Sequence, residues 1–280
     1  MAGSFSKRPR NHRRRSAFDD GAFSGVGRGI CTLSKAHLSR TSLSLVATGI
    51  FAPMSMLVAA LILGVAKVGI KDTKVGTGLA AQPFDRLTVE YTGKLAKGGK
   101  QFDTSIGRAP FSLDLGVTSV IKGWQEGLVG MKVGGTRVLS IPAELGYGAA
   151  GSPPDIPANA DLVFTVTLKS LGRAKITTLK KGTGPATGPK DSVEVHYKGM
   201  LADGKVFDTS YGRDTFLVNM ERGGVIVGFQ QGLYGIRKGE KRRVVIPPTL
   251  GYGERGAGDA IPPNATITFE LEAVRVFPAR

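Results

Sequence analysis

The chain has 280 residues, enough for two domains, and its 41% hydrophobic content can supply a core for each. This hydrophobic content excludes a wholly disordered chain, and the 40 glycines and 15 prolines, spread along the sequence, favour tight turns between short strands. The net charge of +16 would be typical of a nucleic-acid-binding protein, but residues 1–68 account for +8 of it, against +2 in residues 69–172 and +6 in residues 173–280.

Residues 1–40 form a basic leader rich in Arg and Ser, and residues 41–67 form a hydrophobic segment. Three interpretations of this segment stay open: a signal anchor, a cleaved export signal, and a bipartite transit sequence of the thylakoid type. A buried core helix is a weaker alternative because no polar face accompanies the segment. We therefore predict an exported, membrane-anchored or organelle-lumen protein rather than a cytoplasmic one, with membrane contact through residues 41–67 if they are not removed.

Two copies of one unit follow the hydrophobic segment. VEYTGKLAKGGKQFDTSIGR in the first copy corresponds to VHYKGMLADGKVFDTSYGR in the second, and IPAELGYG corresponds to IPPTLGYG. The copies occupy residues 69–172 and 173–280, and almost no linker separates them. A duplication of this length predicts two tandem domains rather than a solenoid, and the short joint predicts a fixed mutual orientation.

Each copy alternates apolar and polar residues in the way that predicts β-strands. The alternation is found in LTVEYTGKL, TRVLSI and LVFTVTLKSL, and again in SVEVHYKGML, RRVVIP and ITFELEAVRV. VIKGWQEGLVGM places Ile121, Trp124 and Leu128 at the spacing of a short helix, and VIVGFQQGLYGI repeats it. We therefore predict the α+β class, with an antiparallel sheet and one short helix in each domain.

The chain offers few groups for covalent or metal chemistry. Its single cysteine, Cys31, lies in the leader, and the three histidines are widely separated. GYGAAG and GYGERG match a dinucleotide-binding glycine loop, but each runs into a proline-rich loop instead of the helix that a phosphate site needs. We therefore expect neither a metal nor another cofactor, and no nucleophile of the G-x-S-x-G type.

One stretch could bind a polyanion. It is the basic run of the second copy: Arg237, Lys238, Lys241, Arg242 and Arg243. We interpret it as the solvated face of a strand and turn, with a polyanion-binding patch as the alternative. Nucleic acid is therefore not an expected partner.

A set of aromatic and apolar residues with one carboxylate recurs in the same order in both copies. In the first copy the set is Tyr91, Phe102, Asp103, Phe111, Val120, Ile121, Trp124, Tyr147, Ile156 and Phe164. In the second it is Tyr197, Phe207, Asp208, Phe216, Val225, Ile226, Phe229, Tyr252, Ile261 and Phe269. A hydrophobic core is the simpler interpretation of single members, but ten such groups exceed what a core under one short helix needs. Aromatic walls with a few polar groups are typical of a ligand pocket.

The blocks VEYTG, QFDTS, PFSLDLG, VIKGW, LGYGAAG and IPANADLVF resemble, in this order, the signature blocks of the FKBP family of peptidyl-prolyl isomerases. They cover residues 70–171 and recur over residues 176–277. The resemblance implies an antiparallel half-barrel wrapped round one helix, isomerase activity on Xaa-Pro bonds of proline-containing client polypeptides, and a pocket that also binds macrolide immunosuppressants. It further implies a floor made by Trp124, a rim of Asp103, Tyr147 and Ile156, and a substrate carbonyl bound by the backbone N–H of Ile121.

The two copies differ where substrate would enter. Phe229 replaces Trp124 on the floor, which predicts a deeper second pocket and assigns macrolide binding to domain 1. The loop after the rim tyrosine carries Ser152-Pro153-Pro154 in one copy and Glu254-Arg255 in the other. We therefore predict a foldase with domain 1 as the main catalyst. The alternative is a non-catalytic module that binds proline-containing segments, with domain 2 as a docking site.

Overall fold

The computed structural model describes residues 66–279. The predicted basic leader, residues 1–40, and all but the last two residues of the predicted hydrophobic segment lie outside this part of the chain. Within residues 66–279, no helix has both the length and the apolar character needed to cross a membrane.

Domain 1 is a single antiparallel sheet with one short helix. Its elements are β1 (Gly69–Lys74), β2 (Arg86–Leu95), β3 (Gln101–Thr104), β4 (Phe111–Asp114), α1 (Lys122–Gly127), β5 (Thr136–Ile141) and β6 (Leu162–Gly172). The strands lie in the order β1-β5-β6-β2-β3, and β4 also pairs with β2. β6 pairs with β2 along its whole length, from Gly172 opposite Arg86 to Leu162 opposite Leu95. The last strand of the domain therefore occupies the middle of its sheet.

Domain 2 repeats the arrangement. Its elements are β7 (Lys175–Lys180), β8 (Ser192–Leu201), β9 (Val206–Thr209), β10 (Phe216–Asn219), α2 (Val227–Leu233), β11 (Lys241–Ile246) and β12 (Ile267–Phe277). The order is β10-β8-β12-β11-β7, and β9 also pairs with β8. The predicted α+β class, with one antiparallel sheet and one short helix in each domain, is confirmed.

The period-two patterns become strands because they bury one face of the sheet. Leu87 and Val89 of β2 are fully buried in the core, whereas Glu90 between Val89 and Tyr91 is half-buried and pairs with Lys169. The six strands that this pattern predicts are all present. The other six strands, β1, β3, β4, β7, β9 and β10, are not predicted from this pattern. In β1, for example, all six residues are exposed and show no alternation.

Two glycines of the helix face the sheet, and neither position has room for a side chain. A Cβ atom at Gly123 would lie 2.4 Å from Cγ2 of Ile141, and one at Gly127 would lie 2.7 Å from Cδ2 of Leu139. These distances are shorter than any side chain tolerates. The close approach seats the intervening Trp124, which is 4% exposed, against the inner face of the sheet. The predicted helix is thus confirmed, and its packing fixes the position of the tryptophan.

The basic run of domain 2 is largely neutralised. Three of its members form ion pairs: Lys241 with Glu272, Arg242 with Glu240 and Arg243 with Glu270. Arg242 also donates to the carbonyls of Gly232 and Tyr234 at the end of α2, which is a structural role. These contacts favour the solvated strand face over the polyanion patch.

The joint between the domains is held by buried contacts. β6 ends at Gly172 and β7 begins at Lys175. Between them, the Arg173 guanidinium binds both carboxylate oxygens of Asp85, at 2.5 and 2.8 Å, and Asp85 is fully buried. Next to this pair, Phe84 has a φ of 72°, which is rare for a bulky residue. Its side chain is 1% exposed and packs in the hydrophobic core of domain 2.

Candidate functional site

The β2–β3 pair positions Tyr91 opposite Asp103 through the residues that follow the aspartate. The buried Ser105 donates its N–H to the carbonyl of Tyr91 at 3.0 Å, and its Oγ accepts the Tyr91 N–H at 2.8 Å. Thr104 Oγ1 donates to the same carbonyl at 2.8 Å. The sequence Asp-Thr-Ser therefore fixes the backbone of the tyrosine while its first residue faces the tyrosine ring.

The side chains of Tyr91 and Asp103 form the polar edge of a cavity. The Tyr91 hydroxyl donates a short hydrogen bond to Oδ2 of Asp103. The other carboxylate oxygen accepts Nη2 of Arg108 at 2.6 Å and the N–H of Thr104 at 2.8 Å. Both carboxylate oxygens are therefore engaged, and the carboxylate is fixed beside the tyrosine.

Burial and hydrogen bonding shift the pKa values of Tyr91 and Asp103 in opposite directions. Burial, followed by the hydrogen bond to Asp103, raises the pKa of Tyr91 to about 12. Burial also raises the pKa of Asp103, but the hydrogen bonds from Tyr91, Arg108 and Thr104 together outweigh it and the pKa is lowered. At neutral pH the site therefore holds a neutral phenol and an ionised carboxylate.

We expect Asp103→Ala to lower the pKa of Tyr91 only part of the way from about 12 towards 10, because burial is the larger cause of the shift and stays in place. An NMR titration of the Tyr91 Cζ resonance between pH 9 and 13 measures this. Asp208→Ala is the matched control and should act on Tyr197 alone. A pKa of Tyr91 that falls fully to 10 would show that the carboxylate, not burial, dominates.

The same shifts set the sign of the pH dependence of stability. Tyr91 binds its proton more tightly in the folded state, so its contribution is present below pH 10 and is lost as the pH rises towards 12. Asp103 has a folded-state pKa below 3.8, so its contribution is present above that pH and is lost on further acidification.

Aromatic rings close the cavity around Trp124. Its ring centroid lies 5.1 Å from that of Tyr91, 5.3 Å from Phe164 and 6.0 Å from Phe111, each edge to face. Gly93 lies behind the walls, since a Cβ there would be 2.7 Å from ring carbons of both Phe102 and Phe164. The walls can approach the sheet this closely only because residue 93 has no side chain.

The cavity of domain 1, here called pocket 1, has a volume of about 420 Å³. Its lining is Tyr91, Phe102, Asp103, Phe111, Ser119, Val120, Ile121, Trp124, Tyr147 and Phe164. The structure thus brings together nine of the ten residues proposed from the sequence. Ile156 does not line the pocket; it is 4% exposed and packs in the hydrophobic core of domain 1. Ser119 was missed, since no aromatic or repeated feature of the sequence marks it.

Domain 2 contains the matching cavity, pocket 2, with a volume of about 660 Å³. Its lining is Tyr197, Phe207, Asp208, Phe216, Gly224, Val225, Ile226, Phe229, Tyr252, Ala260 and Phe269. Ile261, like Ile156, lies in the core instead, and Gly224 and Ala260 line the cavity without having been predicted. The Tyr197 hydroxyl donates to Asp208 at 2.5 Å, and Arg213 donates to the same carboxylate at 2.7 Å.

Smaller side chains account for the larger volume of pocket 2. Phe229 replaces Trp124, and Gly224 replaces Ser119. A third change is at the rim, where Ala260 stands in the position of Asp155. In domain 1, Asp155 pairs with Lys100 at 3.4 Å on the surface. Pocket 2 therefore has smaller side chains at both its floor and its rim.

Neither pocket contains a set of metal ligands. Within residues 66–279, no group of three or more His, Cys, Asp and Glu side chains could hold a metal ion. A different polar group is available in pocket 1: among these residues, the N–H of Ile121 donates to no acceptor. It lies at the start of α1 in the cavity lining, so it is free to bind the carbonyl of a ligand.

Comparison with known proteins places these features in a family. The profile described as FKBP-type peptidyl-prolyl cis-trans isomerase matches residues 78–169 and again residues 184–274. Peptidyl-prolyl cis-trans isomerase FKBP9 of Mus musculus is 38% identical over 201 residues, which are 69% of this chain and 35% of that protein. FKBP10 of Homo sapiens is 37% identical over 206 residues, covering 70% of this chain and 35% of that protein.

A third relative matches one domain. FK506-binding protein 4 of Rhizopus delemar is 51% identical over 102 residues, covering 36% of this chain and 26% of that protein. The chain thus spans about a third of the length of the FKBP9 and FKBP10 proteins that it matches.

Proposed function

Since the chain belongs to the FKBP-type peptidyl-prolyl cis-trans isomerase family, we propose that it catalyses rotation about Xaa-Pro bonds in client polypeptides, with pocket 1 as the main site. The observation that supports this most directly is the geometry of pocket 1. Trp124 forms an apolar floor among three aromatic rings, and Tyr91, Asp103 and the Ile121 N–H supply polar groups at its edge. A proline ring fits the apolar floor, and the carbonyl next to it fits the free N–H.

The reaction needs no nucleophile or metal, because no bond is made or cut. Rotation about a peptide bond meets a barrier of roughly 18–20 kcal/mol from amide resonance. The planar amide is more dipolar than the twisted one, so a largely aromatic pocket disfavours the ground state relative to the transition state. Polar groups at the edge hold the flanking carbonyls while the bond turns.

The rate acceleration that the proposed activity requires is modest. Uncatalysed Xaa-Pro rotation takes tens to hundreds of seconds. Reaching an ordinary enzymatic rate, on the order of 10–1,000 per second, means lowering the barrier by about 4–7 kcal/mol. Orientation in the pocket and removal of water are sufficient for an effect of this size.

A protease-coupled isomerisation assay on a Leu-Pro peptide tests the proposal with the full chain. Asp103→Ala should reduce the rate by about tenfold or more, while the matched Asp208→Ala should reduce it little. Asp103 is 42% exposed in its side chain, so the substitution leaves the core intact. An unmutated chain without activity would overturn the enzyme proposal and leave a protein that binds proline-containing segments.

A second role is favoured for domain 2. Pocket 2 retains the Tyr197–Asp208 pair but has the larger volume and the phenylalanine floor. Its rim loop carries Glu254 and Arg255, both exposed, where domain 1 has two alanines. We propose that domain 2 docks proline-containing segments of clients, and that macrolide immunosuppressants bind at pocket 1, whose smaller cavity has the indole floor. Export, anchoring or lumenal location stays a prediction from residues 41–67.

A further inference from the structure

One side chain of domain 2 connects its helix to domain 1. Gln231 of α2 is fully buried. Its Oε1 accepts the N–H of Ala174 at 2.7 Å, and its Nε2 donates to the carbonyls of Phe84 at 2.8 Å and Gly172 at 3.1 Å. Two of these three groups belong to domain 1 and the third to the joint. The amide of Gln231 therefore binds α2 to a surface that domain 2 does not itself supply.

The same helix carries the floor of pocket 2. Phe229 lies two residues before Gln231 in an α2 of seven residues, and Ile226, which precedes the helix, lines the pocket. The helix is bonded within this stretch, with the N–H of Phe229 donating to the carbonyl of Ile226 at 3.0 Å. Because Gln231 and Phe229 lie in the same seven-residue helix, a displacement of Gln231 is expected to displace the floor.

A second contact from domain 1 reaches the rim of pocket 2. Arg86 of β2 is held by two hydrogen bonds of 2.7 Å to Asp114. Its Nη1 donates to the carbonyl of Thr249, in the 3₁₀ turn Pro248–Leu250. The rim residue Tyr252 follows this turn by two residues. Domain 1 therefore contacts both elements that shape pocket 2, the floor helix and the rim turn.

These contacts use positions at which the two copies differ. Glu126, which is exposed, stands in domain 1 where domain 2 has Gln231. Lys190, also exposed, stands in domain 2 where domain 1 has the buried Phe84. The residues that make the contact are thus not repeated in the other copy, as expected where two different surfaces meet.

We propose that Gln231 is a positioning residue for pocket 2: through it, domain 1 holds Phe229 in place and determines how tightly pocket 2 binds a proline-containing segment. The inference rests on the proposed function in one respect, because it takes such segments to be the ligands of pocket 2. Its physical basis is that three hydrogen bonds at the domain boundary hold Gln231, which lies only two residues from Phe229 on the pocket floor.

The test uses the full chain with Trp124→Phe and Phe229→Trp, so that the only indole stands on the floor of pocket 2. Titration with a Leu-Pro peptide, followed by indole fluorescence, gives the affinity of that pocket. We expect Gln231→Leu to weaken peptide binding by about fivefold or more and to shift the emission of the free protein. Glu126→Leu, the equivalent change in domain 1, should alter neither. Unchanged emission and affinity in Gln231→Leu would overturn the proposal.

Amide hydrogen exchange separates this inference from the proposed function. We expect the Phe229 and Gln230 amides to exchange about tenfold faster in Gln231→Leu, while the β12 amides stay protected. If the unmutated reporter chain binds no peptide, the docking role of pocket 2 fails, yet the exchange result still decides whether Gln231 holds the helix. If Gln231→Leu unfolds domain 2, the nearly isosteric Gln231→Met, which also removes the three hydrogen bonds, is titrated in the same way. An unchanged affinity in that variant would also contradict the proposal.

Discussion

Trp124→Ala is expected to remove most of the isomerase activity of the chain and to destabilise domain 1 by about 3–5 kcal/mol, the usual range for a large aromatic residue replaced by alanine in a core. The indole contacts three other rings and forms the floor of pocket 1, so its loss opens the cavity and admits water. Protease-coupled assays and denaturant unfolding of the full chain measure the two effects.

Trp124→Phe is the matched control because it copies the floor of pocket 2. The indole N–H of Trp124 is buried without an acceptor among residues 66–279, and an unpaired buried donor is unfavourable by about 1–3 kcal/mol. The phenylalanine removes that donor along with part of the ring, so we expect a small change in stability and a partial loss of activity. Full activity in Trp124→Ala would contradict the assignment of the floor.

Phe84→Ala is expected to destabilise domain 2 by about 3–5 kcal/mol, although residue 84 belongs to domain 1. The phenylalanine ring is 1% exposed, packs in the core of domain 2 and lies 5.8 Å from the ring of Tyr234, edge to face. Alanine keeps the unfavourable positive φ and loses the packing, so no relief of strain offsets the loss. Denaturant unfolding of the full chain and amide exchange of the β12 residues measure this loss of stability.

Lys190→Ala provides the comparison for this prediction. Lys190 occupies the equivalent position in domain 2 and is exposed, so its replacement should leave the denaturant midpoint of unfolding unchanged. If Phe84→Ala also left the exchange of the β12 amides unaltered, the packing of the Phe84 ring would contribute nothing to the stability of domain 2.

The sequence predicts the strands and helices whose buried residues recur at a regular spacing. The strands β2, β5 and β6 alternate strictly, and Trp124 and Leu128 mark a helix, so these elements and the family resemblance could be read directly. β1 could not, since all six residues are exposed and its place is set by pairing with β5. A strand that buries no face leaves no alternation in the sequence.

The pocket was largely predictable because its residues recur in two copies, but recurrence does not separate lining from core. Ile156 and Ile261 recur faithfully and are core residues, whereas Ser119 and Gly224 differ and line the pockets. The contacts between the domains were missed for a related reason. Phe84 and Gln231 differ in character from the residues at the equivalent positions of the other copy, Lys190 and Glu126. A comparison of the two copies position by position could therefore have indicated these contacts.

The pairing of β2 with β6 has a consequence for how the chain is made. Because β6 is the last strand of domain 1 and lies in the middle of its sheet, that sheet stays incomplete until Gly172 has left the ribosome. The Phe84 and Gly172 carbonyls take their final places only then, some sixty residues before α2 emerges with Gln231. During vectorial synthesis, domain 1 can therefore be complete before the helix of domain 2 is laid against it, so that the surface contacted by Gln231 can already be in place when α2 emerges.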